Sequence, residues 1–327
     1  MKSMDGLLCL HLYSSIESYN ANSQGAIFKS KYTLKDQIGK GKYSKVHKAI
    51  DTSDEKQVAI KIRNKEGVTK IEKNMIRNEI GIAKLVRHPN VIPFYSIMES
   101  TTHVYFISEL IKGKDLSQFI ASRKILSEYQ AANITYYLLL AVQYIHDNGI
   151  IHRDLKPENI MIEFTEDGHI LTVKIIDFGL SKTILPNSLS FEQCGTLIYI
   201  APEVFFKYGY NKEVDVWSIG VILYYMLMGE LPYDYNGKFI IDYQINLQEK
   251  IFKDITMEGK DLLGRLLESN PEKRIKLCDA LNHNWIQTNV NDKTANPDNL
   301  LYPFAGLYTS HDFNECMEKA WKYSTNN

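Results

Sequence analysis

The stretch VDVWSIGVILYYMLMG, residues 214–229, limits the fold more than any other in the chain. It is almost wholly apolar over 16 residues, whereas a helix needs about 20 to cross a bilayer. A helix that is apolar all round and too short to span a membrane must be buried all round. That requires a sizeable helical body around it. The chain has 327 residues, 44 % of them hydrophobic, enough for that body and a second one.

The texture along the chain says what the second body is. Residues 1–31 form a polar N-terminal extension, with SSIESYNANSQG rich in Ser and Asn and expected to be mobile. From Tyr32 on, YTLKDQIGKG, KVHKAID, QVAIKIR, VIPFYSIME and HVYFISELI read as short strands separated by turn residues. Between them KIEKNMIRNEIGIAKLV carries Ile71, Met75, Ile76, Glu79, Ile80 and Ala83 at helical spacing. After Lys112 helices dominate: SEYQAANITYYLLLAVQYIHDNG, stopped by Gly149, then the apolar stretch, GKDLLGRLLE and LCDALNHNWI. The layout expected is α+β: a small β-rich lobe over 32–111, a larger helical lobe over 112–286, and a cleft between them. A tail over 287–327 follows, where SHDFNECMEKAWKY places Phe313, Met317, Ala320 and Trp321 on one face of an amphipathic helix.

Charge excludes some functions. Acids and bases nearly cancel, for a net of -1, which argues against a nucleic-acid binder. Cys9, Cys194, Cys278 and Cys316 are scattered without a CxxC pair, as expected of free thiols in the cytoplasm or nucleus. The opening MDGLLCLHLY is interrupted by His11 and lacks a small-residue cleavage site, so it does not read as a signal peptide. Lys2 in place of glycine rules out N-myristoylation of this start.

The chemistry lies in a few short segments. In IGKGKYSKV, Gly39 and Gly41 leave room for a phosphate to approach the backbone. Lys61 ends the apolar strand VAIK, and Glu79 follows 18 residues later on a helix. A lysine and a glutamate so placed can hold nucleotide phosphates. HRDLKPENIMI, from His152, is the strongest signal. Asp154 can accept a hydroxyl proton, Lys156 can neutralise a phosphoryl group in transfer, and Asn159 can hold a metal ion. Asp177 of DFGL offers a second metal oxygen.

At these residues the chain resembles the eukaryotic protein kinases. GKGKYS, VAIK, HRDLKPEN, DFG, APE (Ala201–Glu203) and DVWSIGV (Asp215–Val221) stand in the family's order, over about residues 32–286. Lys156 after the HRD aspartate resembles the serine/threonine branch. HPNVI, APEV and NHNWI resemble the calcium/calmodulin-dependent and calcium-dependent group. The resemblance implies ATP with Mg2+, Mn2+ being an alternative ion. It implies that Gly39, Gly41 and Ser44 cover the triphosphate, with Ser44 standing where the family has glycine, and that Ile38 also binds ATP. It further implies that Lys61 touches the phosphates and pairs with Glu79, and that Val46, Ala59 and Met161 enclose the adenine. Ser108, Glu109 and Ile111 would form the hinge, and Asp115 would sit near the ribose. Ser108 is small for a position that guards a pocket behind the adenine. Glu203 and Arg274 resemble a buried structural ion pair. The readings set aside are a kinase fold used as a scaffold, which would lack Lys61, Asp154 or Asp177, and a small-molecule kinase, which would lack the APE platform.

Two further expectations follow from the resemblance. Glu158 and Asp115 match acidic positions that bind an arginine three residues before the target hydroxyl, so the expected partners are proteins with R-x-x-S/T sites. Tyr225 stands where some such kinases have another acid. In the activation loop, which also holds Thr196, the position that usually carries phosphate falls on Glu192. That acid would pair with Arg153, with phosphate on Ser188 or Ser190 as the alternative. No EF-hand pattern is present, so calcium control calls for a sensor or a regulatory segment outside this sequence. The tail helix packs on the large lobe, inhibits it, or binds calmodulin; Glu315 and Glu318 weaken the last.

Overall fold

A computed structural model of the chain describes residues 28–41, 44–166, 169–185, 188–232 and 252–290. The N-terminal extension up to residue 27, the DG turn at Asp167 and Gly168, and the tail helix with Phe313 and Trp321 lie outside the described residues. The rest groups into two compact units, 28–74 with 93–111 and 75–92 with 112–290.

The first unit is built on a five-stranded antiparallel sheet in the order β1-β2-β3-β5-β4. Its strands are β1 (Tyr32–Lys40), β2 (Ser44–Asp51), β3 (Gln57–Asn64), β4 (Phe94–Glu99) and β5 (His103–Glu109). Strand period two sends Val58 and Ile60 of β3 to one face, where they join Ala49, Ile107, Tyr32 and Phe28 in a buried cluster. Ala59 and Lys61 alternate to the other face. Phe28 falls in the extension read as polar, yet it is only 5 % exposed and stacks on Tyr105 at 3.9 Å. Thr52 fixes the same segment, donating its N–H to the Lys31 carbonyl and its hydroxyl to the Ser30 carbonyl. An aromatic ring that fills a sheet face overrides the polar composition around it.

Helix α1 (Lys70–Leu85) follows the apolar spacing read from the sequence. Residues 75–92, assigned by sequence to the small lobe, group instead with the second unit. The 90–92 stretch is tied there: Asn90 Nδ2 donates to the Val173 carbonyl, Ile175 N–H to the Asn90 carbonyl and Ile92 N–H to the Ile175 carbonyl. The strand expected from Val91 therefore starts only at Phe94, after Pro93, which has no N–H to give a ladder.

The second unit is mainly helical. Strands β6 (Lys114–Asp115), β8 (Ile160–Phe164) and β9 (Ile170–Ile175) form one small sheet, and β7 (Ile150–Ile151) with β10 (Lys182–Thr183) another. Its helices are α2 (Leu116–Arg123), α3 (Glu128–Asp147), α4 (Pro202–Phe205), α5 (Glu213–Met228), α6 (Met257–Leu266), α7 (Leu277–Leu281) and α8 (Asn284–Asn289). Helix α3 opens on a capping box between Ser127 and Gln130. Helix α5 is the apolar stretch, and every residue but Glu213, Tyr225 and Met228 is buried. It ends at Gly229, whose φ of 73° and 2.5 Å clearance from the Lys124 carbonyl exclude a Cβ. LCDALNHNWI, read as one helix, is two: His283 leaves helical geometry and caps α8. Among the described residues no helix is long and apolar enough to cross a membrane.

Candidate active site

The loop between β7 and β8 is held from below by α5. Asp215 is fully buried and accepts the backbone N–H groups of His152 and Arg153, each at 2.8 Å, and His146 Nε2 at 2.8 Å. Burial opposes its charge, but the bonds from His146 and from the His152 N–H outweigh burial and keep its carboxyl below the ordinary aspartate value. These contacts hold Arg153 at a φ of 69°, in the left-handed region that L-residues avoid. Asp154 is the next residue. Asp215 had been read only as part of a motif and His146 not at all.

Asp154 sits in a closed network. Its Oδ1 accepts from Thr196 Oγ1 at 2.8 Å, and its Oδ2 lies 3.1 Å from Lys156 Nζ. Lys156 Nζ also donates to Thr196 Oγ1 at 2.8 Å. Asn159 Nδ2 donates to the Asp154 carbonyl at 2.8 Å and to its Oδ2 at 3.3 Å. That use of the amide nitrogen turns the Asn159 carbonyl oxygen elsewhere, as a hard cation requires of a ligand. Asp177 accepts from Gly179 N–H at 2.8 Å. The structure thus brings Asp154, Lys156, Asn159 and Thr196 together from residues up to 42 apart in sequence.

A second cluster lies on the activation loop. Arg153 Nη1 donates to Glu192 Oε2 at 2.6 Å, and its Nε to the Leu180 carbonyl at 2.7 Å. The other Glu192 oxygen accepts from Lys182 Nζ at 2.9 Å. The carboxylate therefore bridges two cations, one oxygen to each. Burial acts against the charge on Glu192; the bonds from Arg153 and Lys182 outweigh it and hold the carboxyl below the ordinary glutamate value. Sequence reading missed Lys182. Its one signal was a lysine five residues after Asp177.

The remaining predicted residues are placed as follows. In the first unit Gly39 pairs with Val46, whose Cβ would stand 3.3 Å from a Cβ on Gly39. Gly41 N–H donates to the Ser44 carbonyl at 2.8 Å, closing the β1–β2 turn, and Ile38 is exposed beside it. Val46 faces Lys61 across β2–β3, and Ala59 faces Ser108 across β3–β5. Ser108 is buried and its hydroxyl donates to the Ala59 carbonyl at 3.4 Å. Glu109 closes β5, and Ile111 ends the unit. In the second, Glu79 is a buried residue of α1. Asp115 caps α2 by accepting from Gln118 N–H and pairs with Met161 across β6–β8. Glu158 is exposed in the Pro157–Asn159 turn. Glu203 and Arg274 form a doubly bonded pair at 2.7 and 3.0 Å, with Arg274 over the Trp217 ring.

Residues 32–286 match the family model described as protein kinase domain. The chain is 36 % identical over 269 residues to Myosin light chain kinase A of Dictyostelium discoideum, covering 80 % of this chain and 90 % of that one. It is 35 % identical over 287 residues to Calcium/calmodulin-dependent protein kinase type I of Schizosaccharomyces pombe, covering 85 % and 84 %. It is 38 % identical over 271 residues to CBL-interacting protein kinase 1 of Oryza sativa, covering 79 % of this chain and 56 % of that longer one.

Proposed function

Because the chain belongs to the protein kinase family, among serine/threonine kinases akin to the calcium/calmodulin-dependent group, we propose that it transfers the γ-phosphate of ATP to Ser or Thr of protein substrates. The observation that carries the reading is the network joining Asp154, Lys156, Asn159 and Thr196. In it Asp154 is aimed by hydrogen bonds from Thr196 and Asn159 and lies beside the Lys156 ammonium, which keeps its carboxylate oriented to take a proton. Lys156 stands beside the acceptor carboxylate and offsets charge on the group in flight. Asn159 and Asp177 would hold Mg2+, or Mn2+ in its place, which would offset the negative charge of the phosphates. In the first unit Lys61, the Gly39–Gly41 turn and Ser44 would meet the phosphates, and in the second Glu79 would serve the same nucleotide. Ile38, Val46, Ala59, Ser108, Glu109 and Ile111 of the first unit would serve the nucleoside, as would Asp115 and Met161 of the second. Incubation with labelled ATP, Mg2+ and a basic peptide is the test. Asp154→Asn should cost about 100- to 10,000-fold in kcat; near wild-type turnover would end the assignment.

Two finer readings go with it. Glu158 and Asp115 select an arginine three residues before the target hydroxyl, since a guanidinium fork suits carboxylates. A peptide library should show that preference, and Glu158→Ala should blunt it. Glu192 stands in for an activation-loop phosphate: its bonds to Arg153 and Lys182 support this, and so does the burial of Ser190, which leaves its hydroxyl poorly placed for modification. Enzyme shown by mass spectrometry to carry no phosphate should still phosphorylate peptide. Calcium control, where it operates, acts through a separate sensor or a regulatory segment outside this sequence. Ser108 leaves room behind the adenine, so Ser108→Met should weaken inhibitors that carry a bulky aromatic group there while sparing ATP turnover.

A further inference from the structure

Tyr210 precedes α5 and belongs to none of the motifs, yet it touches the activation loop at three places. Its backbone N–H and carbonyl both pair with Ser190 at 2.8 Å. Its hydroxyl donates to the Glu192 carbonyl at 2.7 Å and accepts from Arg153 Nη1 at 3.2 Å. Cys194 Sγ lies 3.8 Å from the same oxygen. The residue is only 3 % exposed, so these contacts are shielded from water. Burial raises the phenol pKa despite the nearby arginine, so the hydroxyl keeps its proton at neutral pH and can donate.

Counting acceptors shows why this matters. A phosphate presents three oxygens, a carboxylate two. Glu192 turns one oxygen to Arg153 and the other to Lys182, so only one of its oxygens meets Arg153. The Tyr210 hydroxyl supplies the further acceptor on Arg153 and, through its own proton, fixes the main chain of the residue that carries the acid. Arg153 in turn is adjacent to Asp154 and held in a left-handed backbone conformation.

We propose that Tyr210 is a positioning residue for phosphoryl transfer: its hydroxyl, shared between Arg153 and the Glu192 carbonyl, sets the acid against the arginine and through it the catalytic loop. The inference rests on the reading of Asp154 as proton acceptor and Glu192 as the loop's charge. The test is kcat and KM for ATP and peptide in wild type, Tyr210→Phe, Glu192→Ala and the double variant, with melting temperatures for each. Tyr210→Phe keeps the ring and the backbone pair and removes only the hydroxyl. It should lower kcat about tenfold while KM for ATP stays within about twofold. The double variant should be no slower than Glu192→Ala, since both break one unit. Hydrogen exchange of amides 188–194 should quicken in Tyr210→Phe while that of α5 does not. Wild-type kcat in Tyr210→Phe overturns the proposal, as do losses that simply multiply. So does a broad fall in melting temperature with raised KM for ATP, which would make Tyr210 a brace of the fold. Asp154→Asn measured alongside reports on the kinase reading alone, and wild-type kcat in Glu192→Ala would remove the loop-charge reading together with the coupling.

Discussion

Two carboxylates converge on Arg153 and do so under opposite conditions. Asp215 binds its backbone N–H with a side chain that is 0 % exposed. Glu192 binds its guanidinium with a side chain that is 56 % exposed. A buried carboxylate with three donors has one workable geometry, and losing any partner leaves a charge or a donor stranded. A half-exposed one can exchange protein partners for water at small cost. The fold thus holds the backbone at Arg153 in one geometry and leaves the pair on its side chain open to water.

The largest expected effect comes from Asp215→Asn. An amide can accept only through one oxygen, and its NH2 would face either the Arg153 N–H or the His152 N–H and His146 Nε2. Breaking such a buried arrangement should destabilise the second unit by about 3–5 kcal/mol. It should also lower kcat more than Glu192→Ala does. Urea unfolding with parallel assays checks this, and a variant as stable as wild type would break the comparison.

Next comes pH. His88, stacked on Tyr144, is pushed by burial down to about 4. Its folded value lies below the unfolded one, so its neutral form stabilises above about pH 6.5, and that contribution is lost as pH falls toward 4. The loss should approach about 3 kcal/mol. The lowered carboxyl of Asp215 acts in the same direction but at lower pH, so His88→Asn should remove the upper part of the acid transition and leave the Asp215 part visible. A pH–stability curve unchanged by His88→Asn would contradict this.

Glu192→Ala should lower kcat about tenfold with little change in stability. A group whose folded pKa is depressed contributes above its unfolded value and is lost only as pH falls through the folded one. The Glu192 contact should therefore hold from about pH 5.5 to 8, where a phosphate would change charge near about pH 6. The ratio of wild-type to Glu192→Ala activity should be flat across that range. A step near pH 6 would point to a phosphate after all.

The smallest effect expected is that of Lys182→Ala, about two- to threefold in kcat and fading at high salt as exposed pairs do. An effect as large as that of Glu192→Ala would mean that the lysine, not Arg153, receives the charge.

Residue type and period alone determined much of this protein. Local spacing marked helix α1, the α3 helix and its stop, and the buried α5; residue identity marked Asp154, Lys156, Asn159 and Asp177 as the groups able to do chemistry. These are properties of neighbours along the chain, set by hydrogen-bond geometry within a few residues and by the need to bury apolar faces. Contacts between distant residues were decided only in three dimensions. Lys182 takes half of Glu192, Tyr210 joins residues 18 and 57 positions away, and Asp215 reaches back 62 and 69 to Arg153 and His146. Phe28 completes a sheet face from within a polar segment, and Asn90 ties its stretch to β9. None of these partners has a periodic signature, because each is chosen by where packed backbones place a donor opposite an acceptor.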